Sequence, residues 1–181
     1  MPDAAVRRFI ADRYQAVHGA VPTTDYPTYL TIGGERGPSA TLGYRRADES
    51  PLFLEQYLDD PVEHVLGARL SRVIERRSVV ELGDHASISP TATIALWRRA
   101  ADELIDQAEF AVAVLTAPLR AMLRRVDLPI LELAPASPER LGASARDWGH
   151  YYASDPILCA GYIAAGSRSL ERAITARRAR S

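Results

Sequence analysis

Apolar positions near the start of the chain recur at helical spacing: Val6, Phe9, Ile10, Tyr14 and Val17 share a face with Arg13, Asp3 stands where a cap belongs, and Gly19 ends the pattern. After a loop over Pro22 to Pro27, YLTIGG and SATLGYRRA read as two strands joined by a turn at ERGP, which makes an antiparallel hairpin. LFLEQYL behind Pro51 reads as helical, Asp59-Asp60-Pro61 interrupts it, and VEHVLGARLSRVIERR continues as an amphipathic helix with Arg69, Arg72, Arg76 and Arg77 on its outer part. SVVELGDHASIS is a strand running into a loop, and TATIALWRRAADELIDQ is the longest helical pattern. Strand and helix then alternate through FAVAVLT, PLRAMLRRV, PILELA and SPERL, with PILCAGYIAA as a closing strand before a basic helical tail. Such alternation predicts an α/β fold.

Length and composition narrow this further. With 181 residues the chain buries one good core, so a single domain over residues 1–181 is expected, with a peripheral tail from 172 to 181. A net charge of −1 offers no field for nucleic acid, and all 22 basic residues are Arg, which excludes a catalytic or Schiff-base lysine. Cys159 is the single cysteine, so no intramolecular disulfide forms and no thiolate zinc site is expected. Its apolar setting points to a buried, inert thiol. MPDAAVRRFIADRYQ lacks the continuous apolar core of a secretory signal, and no uncharged run approaches the ~20 residues that span a bilayer. A cytoplasmic protein with no transmembrane segment is the expectation.

The run GYRRADESPLFLEQYLDDPVEH followed by VVELGDHAS, with RFIADRY before it and WGHYY after it, resembles the thermostable hemolysin family, whose fold is similar to GNAT acyltransferases and acyl-homoserine-lactone synthases. The resemblance implies a GNAT-like fold, a central mixed sheet flanked by helices, and an acyltransferase that uses an acyl thioester as co-substrate. N-acyl transfer needs a polarised thioester, a positioned amine and a base. If VVELGDHAS is the central strand of such a fold, Glu81 is the candidate base, His85 a proton relay, and Gly83 marks a bulge or a close approach. An ion pair with Arg45 or Arg69 is the competing, structural reading of Glu81, and a capping or packing role that of His85. WGHYY supplies Trp148 as a wall of an acyl tunnel or a packing residue, and Tyr152 or Tyr151 as an acid for the leaving thiolate.

The donor side is expected to comprise Gly83, Ala86, Ser87, Ser89, Thr91, Thr116 and Trp148. The loop SISPTAT has no glycine and Pro90 lacks an N–H, which puts tight diphosphate binding in doubt and leaves acyl-CoA and a phosphopantetheinyl acyl carrier protein both open as donors. A carrier protein is acidic and calls for a basic face, for which Arg98, Arg99, Arg120, Arg124 and Arg125 are candidates; Arg168, Arg172, Arg177, Arg178 and Arg180 in the tail are candidates for an anionic membrane surface. The acceptor side is expected to comprise Arg45, Phe53, Glu55, Tyr57 and Asp84, because Phe53 and Tyr57 lie four apart among the carboxylates of Glu55, Asp59, Asp60 and Glu63 and suit a cationic small-molecule amine. No metal set accompanies them, and no permanently bound cofactor is expected. The alternatives are a membrane-active cytolysin, as the family name implies, and a non-catalytic protein that binds acyl carriers.

Overall fold

The computed structural model describes residues 3–22, 24–35 and 37–179. Helix α1 (Ala4–His18) starts where the Asp3 side chain accepts the Ala5 N–H and ends at Gly19, whose φ of +66° is a left-handed conformation that an L side chain resists. Strands β1 (Thr28–Gly34) and β2 (Gly37–Arg46) form the expected hairpin. Next come a single 3-10 turn over Phe53–Tyr57, helix α2 (Val62–Leu70), strand β3 (Val79–Ser87) and helix α3 (Pro90–Leu104). Strand β4 (Phe110–Leu115), helix α4 (Ala117–Arg124), strand β5 (Leu131–Pro135), 3-10 turns within Pro138–Ser154, strand β6 (Ile157–Tyr162) and helix α5 (Ile163–Arg178) complete the order.

Among the described residues the strands form one sheet in the order β1-β2-β3-β4-β6-β5, in which β3 and β4 run parallel and the other neighbours antiparallel. One face carries α3, α4 and α5 over a core built on Leu82, Leu96, Leu104, Leu115, Leu123 and Ile163. The other face is covered in two parts. Leu54, Leu66, Val79, Phe110 and Leu158 pack under the 3-10 turn and α2, while Val6, Ile10, Tyr14, Trp148 and Tyr151 pack α1 beside them.

Three sequence expectations need correction. The helix read through VEHVLGARLSRVIERR stops at Leu70, because Ser71 takes φ +53° and the chain folds back over Gly67, where a Cβ would stand 2.8 Å from the Arg72 carbonyl oxygen. LFLEQYL makes one 3-10 turn instead of an α-helix, since its first N–H groups are drawn onto a carboxylate of β3 described below. PILCAGYIAA is a strand only as far as Tyr162. Ile163, Gly166, Ser167 and Leu170 then sit at helical spacing against α3, and an apolar run without a polar break cannot reveal such a switch. The expected tail, in its described part, is thus the exposed end of α5; Arg180 lies outside the described residues.

Candidate active site

The β3–β4 ladder pairs Val79 with Phe110 and ends at Leu82 opposite Ala113, after which the two strands part. On its other edge β3 pairs Gly83 with Gly43 and Ala86 with Thr41, so Asp84 and His85 together face the single position of Leu42. This is a β-bulge, and Asp84 carries its strain at φ +49°. The extra residue reverses the alternation of side chains. Asp84 turns to the α1 face, where it meets Thr24 and Tyr29, and His85 turns to the α3 face, where its ring stands edge-on to Trp97 at 6.2 Å.

A cleft of about 610 Å³ opens at this gap and reaches both faces of the sheet. Arg13, Tyr14, Thr24 and Tyr26 line it on the α1 side, and Thr93, Trp97, Leu119 and Arg125 on the α3 side. Of the residues expected from the sequence, Glu81, Gly83, Asp84, His85, Ala86, Ser87, Ser89, Thr116, Trp148, Phe53 and Tyr57 line the cleft. Arg45, Glu55, Thr91 and Tyr152 lie outside its lining.

Glu81 is 1% exposed and central to the wall. Its carboxylate accepts the N–H of Leu54 at 2.9 Å and of Phe53 at 3.0 Å, so it caps the 3-10 turn from below, and Arg45 stands 3.4 Å away as an ion-pair partner. The competing structural reading of Glu81 is therefore realised in part, and Arg45 acts on the site through it. Burial pushes the Glu81 carboxyl up to about 7, against the downward pull of the two N–H donors, Arg45 and the Tyr26 hydroxyl. Asp84, 6% exposed, accepts hydrogen bonds from Thr24 Oγ1 and from the Tyr29 hydroxyl at 2.7 Å, and burial raises its carboxyl as well. Two carboxylates with raised affinity for a proton thus share the α1 side.

His85 differs from them in face and in charge. Burial lowers its imidazolium to about 4, which leaves a neutral ring, and its buried Nε2 has no hydrogen-bond partner among the described residues. Glu55 is not available to an acceptor: it is held by Arg76 at 2.7 and 2.9 Å and accepts the Val62 N–H at 3.0 Å, tying the 3-10 turn to α2. Arg76 also reaches Glu63 at 2.8 Å and the Ala47 carbonyl at 2.8 Å, so this arginine points inward, not outward as the helical pattern suggested. Tyr152 stands behind Tyr57 with the two hydroxyls 2.7 Å apart, one step removed from the cleft, and Tyr151 is raised by burial, which makes it a weak acid.

On the α3 side the serines of SISPTAT serve the loop itself. Ser89 Oγ accepts the Ala92 N–H at 3.1 Å as the cap of α3, the Ser89 carbonyl accepts the Thr93 N–H at 3.0 Å, and Ser87 Oγ donates to that same carbonyl at 2.9 Å. Thr91 points to solvent, while Thr93 is buried and lines the cleft in its place. Of the arginines expected on a docking face, Arg120 is 5% exposed and donates to the Leu115 and Asp155 carbonyls, both at 2.6 Å, and Arg98 donates to Asp102 and to Ser167 Oγ of α5. Arg99 and Arg125 remain exposed. Cys159 is buried, and its surroundings push the thiol up to about 12. Among the described residues no cluster of His, Cys, Asp and Glu is placed to hold a metal ion.

Sequence reasoning missed Thr24, Tyr26, Tyr29 and Trp97. The first three lie in or beside a loop whose pattern carries no signal, and Trp97 reads as one more apolar position of α3. A partial signal existed for Tyr26, since Gly43 and Gly83 become cross-strand neighbours and together leave room for its ring, where a Cβ at either would come within 2.6 Å.

The sequence matches the model of the thermostable hemolysin family over residues 2–167. No curated protein matches it. Among solved structures, the AHL synthase LasI is 12% identical with a TM-score of 0.60, covering 88% of this chain and 81% of its own. FeeM, an N-acyl amino acid synthase from uncultured soil microbes, is 13% identical with a TM-score of 0.59, covering 88% and 89%. BjaI, a CoA-dependent acyl-homoserine lactone synthase solved with SAM and isopentyl-CoA, is 10% identical with a TM-score of 0.59, covering 92% and 79%. At these identities the likeness is one of fold, with a six-stranded sheet and flanking helices of GNAT-like arrangement. The chain belongs to the thermostable hemolysin family.

Proposed function

We propose that this protein is a cytoplasmic N-acyltransferase that moves an acyl group from a thioester to the amine of a small metabolite. The observation that carries the reading is the cleft through the sheet where β3 and β4 part, with buried carboxylates on one side and the cap of α3 on the other. Such a gap lets a donor enter from the α3 side and an acceptor from the α1 side and meet at the bulge. Glu81, with a carboxyl near 7, suits a base at neutral pH, and Asp84 suits an ammonium group awaiting deprotonation. Once the ammonium has lost one proton to solvent, the amine nitrogen attacks the thioester carbonyl carbon and backbone N–H groups of β3 beyond Leu82 meet the oxyanion. The C–S bond breaks, and Glu81 takes the second proton from nitrogen and passes it to the departing thiolate, which leaves as the thiol.

The neighbours support this class, since their names describe acyl-homoserine lactone and N-acyl amino acid synthases. For the donor, the first turn of α3 favours a phosphopantetheine arm on an acyl carrier protein over the CoA diphosphate, because Pro90 has no N–H and the Ala92 and Thr93 N–H groups are bound to Ser89. The cytolysin reading rests on the family name, and no described helix is long and apolar enough to cross a membrane.

The test is thiol release from a panel of acyl-CoAs and acyl carrier proteins with pooled amino acids and amines, comparing wild type with Glu81→Gln. Amine-dependent release that falls at least a hundredfold in the variant is the expected result, in line with the loss of a general base. Binding without release across the panel overturns it in favour of a carrier-binding protein, and lysis of lipid vesicles by the pure protein in favour of a cytolysin.

A further inference from the structure

Trp97 lines the cleft on its α3 side and also lines a second, smaller apolar chamber of about 60 Å³ between the sheet and α3 and α5. The walls of that chamber include Cys159, Ile163 and Leu170, and the two cavities share Leu82, Trp97, Ala113 and Leu115. Trp97 thus stands between the cleft and this apolar chamber. Yet the wall at that point is not apolar. Trp97 Nε1 and His85 Nε2 are both out of solvent and without a hydrogen-bond partner among the described residues, on two rings that touch edge to face.

Buried N–H and ring nitrogen atoms are seldom left unpaired, because each loses its water on burial and gains nothing in return. An indole nitrogen can only donate; the neutral imidazole has one nitrogen that donates and one that accepts. With the imidazole proton on Nδ1, Nε2 accepts, and a group that both accepts and donates satisfies the pair together, as a hydroxyl or a secondary amide does. A plain methylene chain satisfies neither.

We propose that Trp97 and His85 form a polar station in the donor half of the cleft, where Trp97 Nε1–H and His85 Nε2 together hold one accepting and donating group of the acyl donor. This rests on the acyl-transfer reading of the cleft. Two parts of a donor offer that chemistry: a hydroxyl on the acyl chain, as in a 3-hydroxyacyl group, and an amide of the pantetheine arm. In both cases Trp97, which belongs to neither the carboxylate pair nor the bulge, becomes a specificity-determining residue.

The chain has two tryptophans, so ¹⁵N-labelled protein gives two indole N–H signals, assigned with Trp97→Phe or, should that variant not fold, with Trp148→Phe. Three donors are titrated: octanoyl propanethioester, which carries neither group; 3-hydroxyoctanoyl propanethioester; and octanoyl N-acetylcysteamine thioester, which carries the amide. The expected result is a downfield shift of the Trp97 signal with one or both of the substituted donors and none with the plain thioester, and binding to Trp97→Phe weakened roughly fivefold to tenfold for the shifting donor alone, the range of one neutral hydrogen bond. The donor that shifts the signal identifies the source of the group. A Trp97 signal that moves with no donor, or equally with all three, overturns the proposal. Amine-dependent thiol release is followed on the same donors: a selective shift without release leaves the station in place and removes the acyl-transfer reading.

Discussion

The hydroxyl of Tyr26 lies so close above Gly83 that a Cβ on Gly83 would stand 2.0 Å from it. The same ring covers Gly43, the register partner of Gly83, and carries the Arg45 guanidinium 4.4 Å from its centroid on the way to Glu81. Two glycines, one on each of two adjacent strands, therefore make the floor on which the charge partner of the buried carboxylate is positioned.

Gly83→Ala consequently displaces Tyr26 and destabilises the protein by about 2 kcal/mol through overpacking. Tyr26→Ala leaves a cavity and costs about 3 kcal/mol. Because the clash vanishes once the ring is gone, the double variant is more stable than the sum of the two losses by about 1 to 2 kcal/mol. Urea unfolding of the four proteins checks this. Strict additivity would mean that the ring and the glycine do not contend for the same space.

The carboxyl of Glu81 makes stability depend on pH. Its value is raised from 4.5 in the unfolded chain to about 7 in the fold, so its contribution is complete below pH 4.5 and is lost as the pH rises through 7, on the order of 3 kcal/mol over that window. His85 acts in the other direction: lowered from 6.5 to about 4, it contributes fully above pH 6.5 and loses that contribution as the pH falls toward 4. Between pH 4.5 and 6.5 the two opposite slopes offset each other in the wild type, so Glu81→Gln is expected to expose a fall in stability as the pH drops from 6.5 toward 4. Melting temperatures of both proteins from pH 4 to 9 decide it, and parallel curves would show that Glu81 does not titrate in this range.

Much of the frame was legible from periodicity. Asp3, Gly19, the ERGP turn and the alternation of Val80 and Leu82 with Glu81 each carry a local physical rule, and the elements they predict are present. The site was legible where it lies on β3 and illegible where it depends on what β3 faces. No local pattern announces that Asp84 and His85 share one partner position, and the bulge alone sends one to Tyr29 and the other to Trp97. Glu55 misled for the same reason, because four-residue spacing assumes an α-helix and Phe53–Tyr57 is a 3-10 turn that presents Glu55 to Arg76.

Arg76 gathers Glu55, Glu63 and the Ala47 carbonyl in one partly buried cluster. Arg76→Met leaves two carboxylates without their cation and keeps only the Glu55–Val62 hydrogen bond between the 3-10 turn and α2, with an expected loss of about 2 kcal/mol. Glu55→Gln is milder, near 1 kcal/mol, since the amide oxygen still accepts from Arg76 or Val62. Neither variant is expected to change which amine is accepted, because Glu55 lies outside the cleft lining. Denaturant midpoints and acceptor KM values measured on the same preparations separate the two effects. An altered acceptor preference in Glu55→Gln would return that carboxylate to the binding site.

Arginines near the donor mouth divide by burial, and the division predicts opposite phenotypes. Arg120 donates to two carbonyls and pairs with the Asp155 carboxylate at 2.7 Å, so Arg120→Met takes the donor from the buried Leu115 carbonyl and releases Asp155, and is expected to destabilise by about 2 kcal/mol. Arg125 lines the cleft from an exposed position at the end of α4, and Arg99 is exposed on α3. Arg99→Ala and Arg125→Ala should leave the unfolding midpoint within about 0.5 kcal/mol of wild type. If an acidic carrier protein delivers the acyl group, their effect falls on association: the KM for acyl carrier protein rises several-fold, the rise shrinks as salt is added, and the KM for a simple pantetheine thioester stays constant. A KM that is insensitive to both substitutions and to salt would place the carrier elsewhere on the protein or make CoA the donor. A matched loss with the small thioester would show that Arg125 contacts the donor inside the cleft and does not serve carrier docking alone.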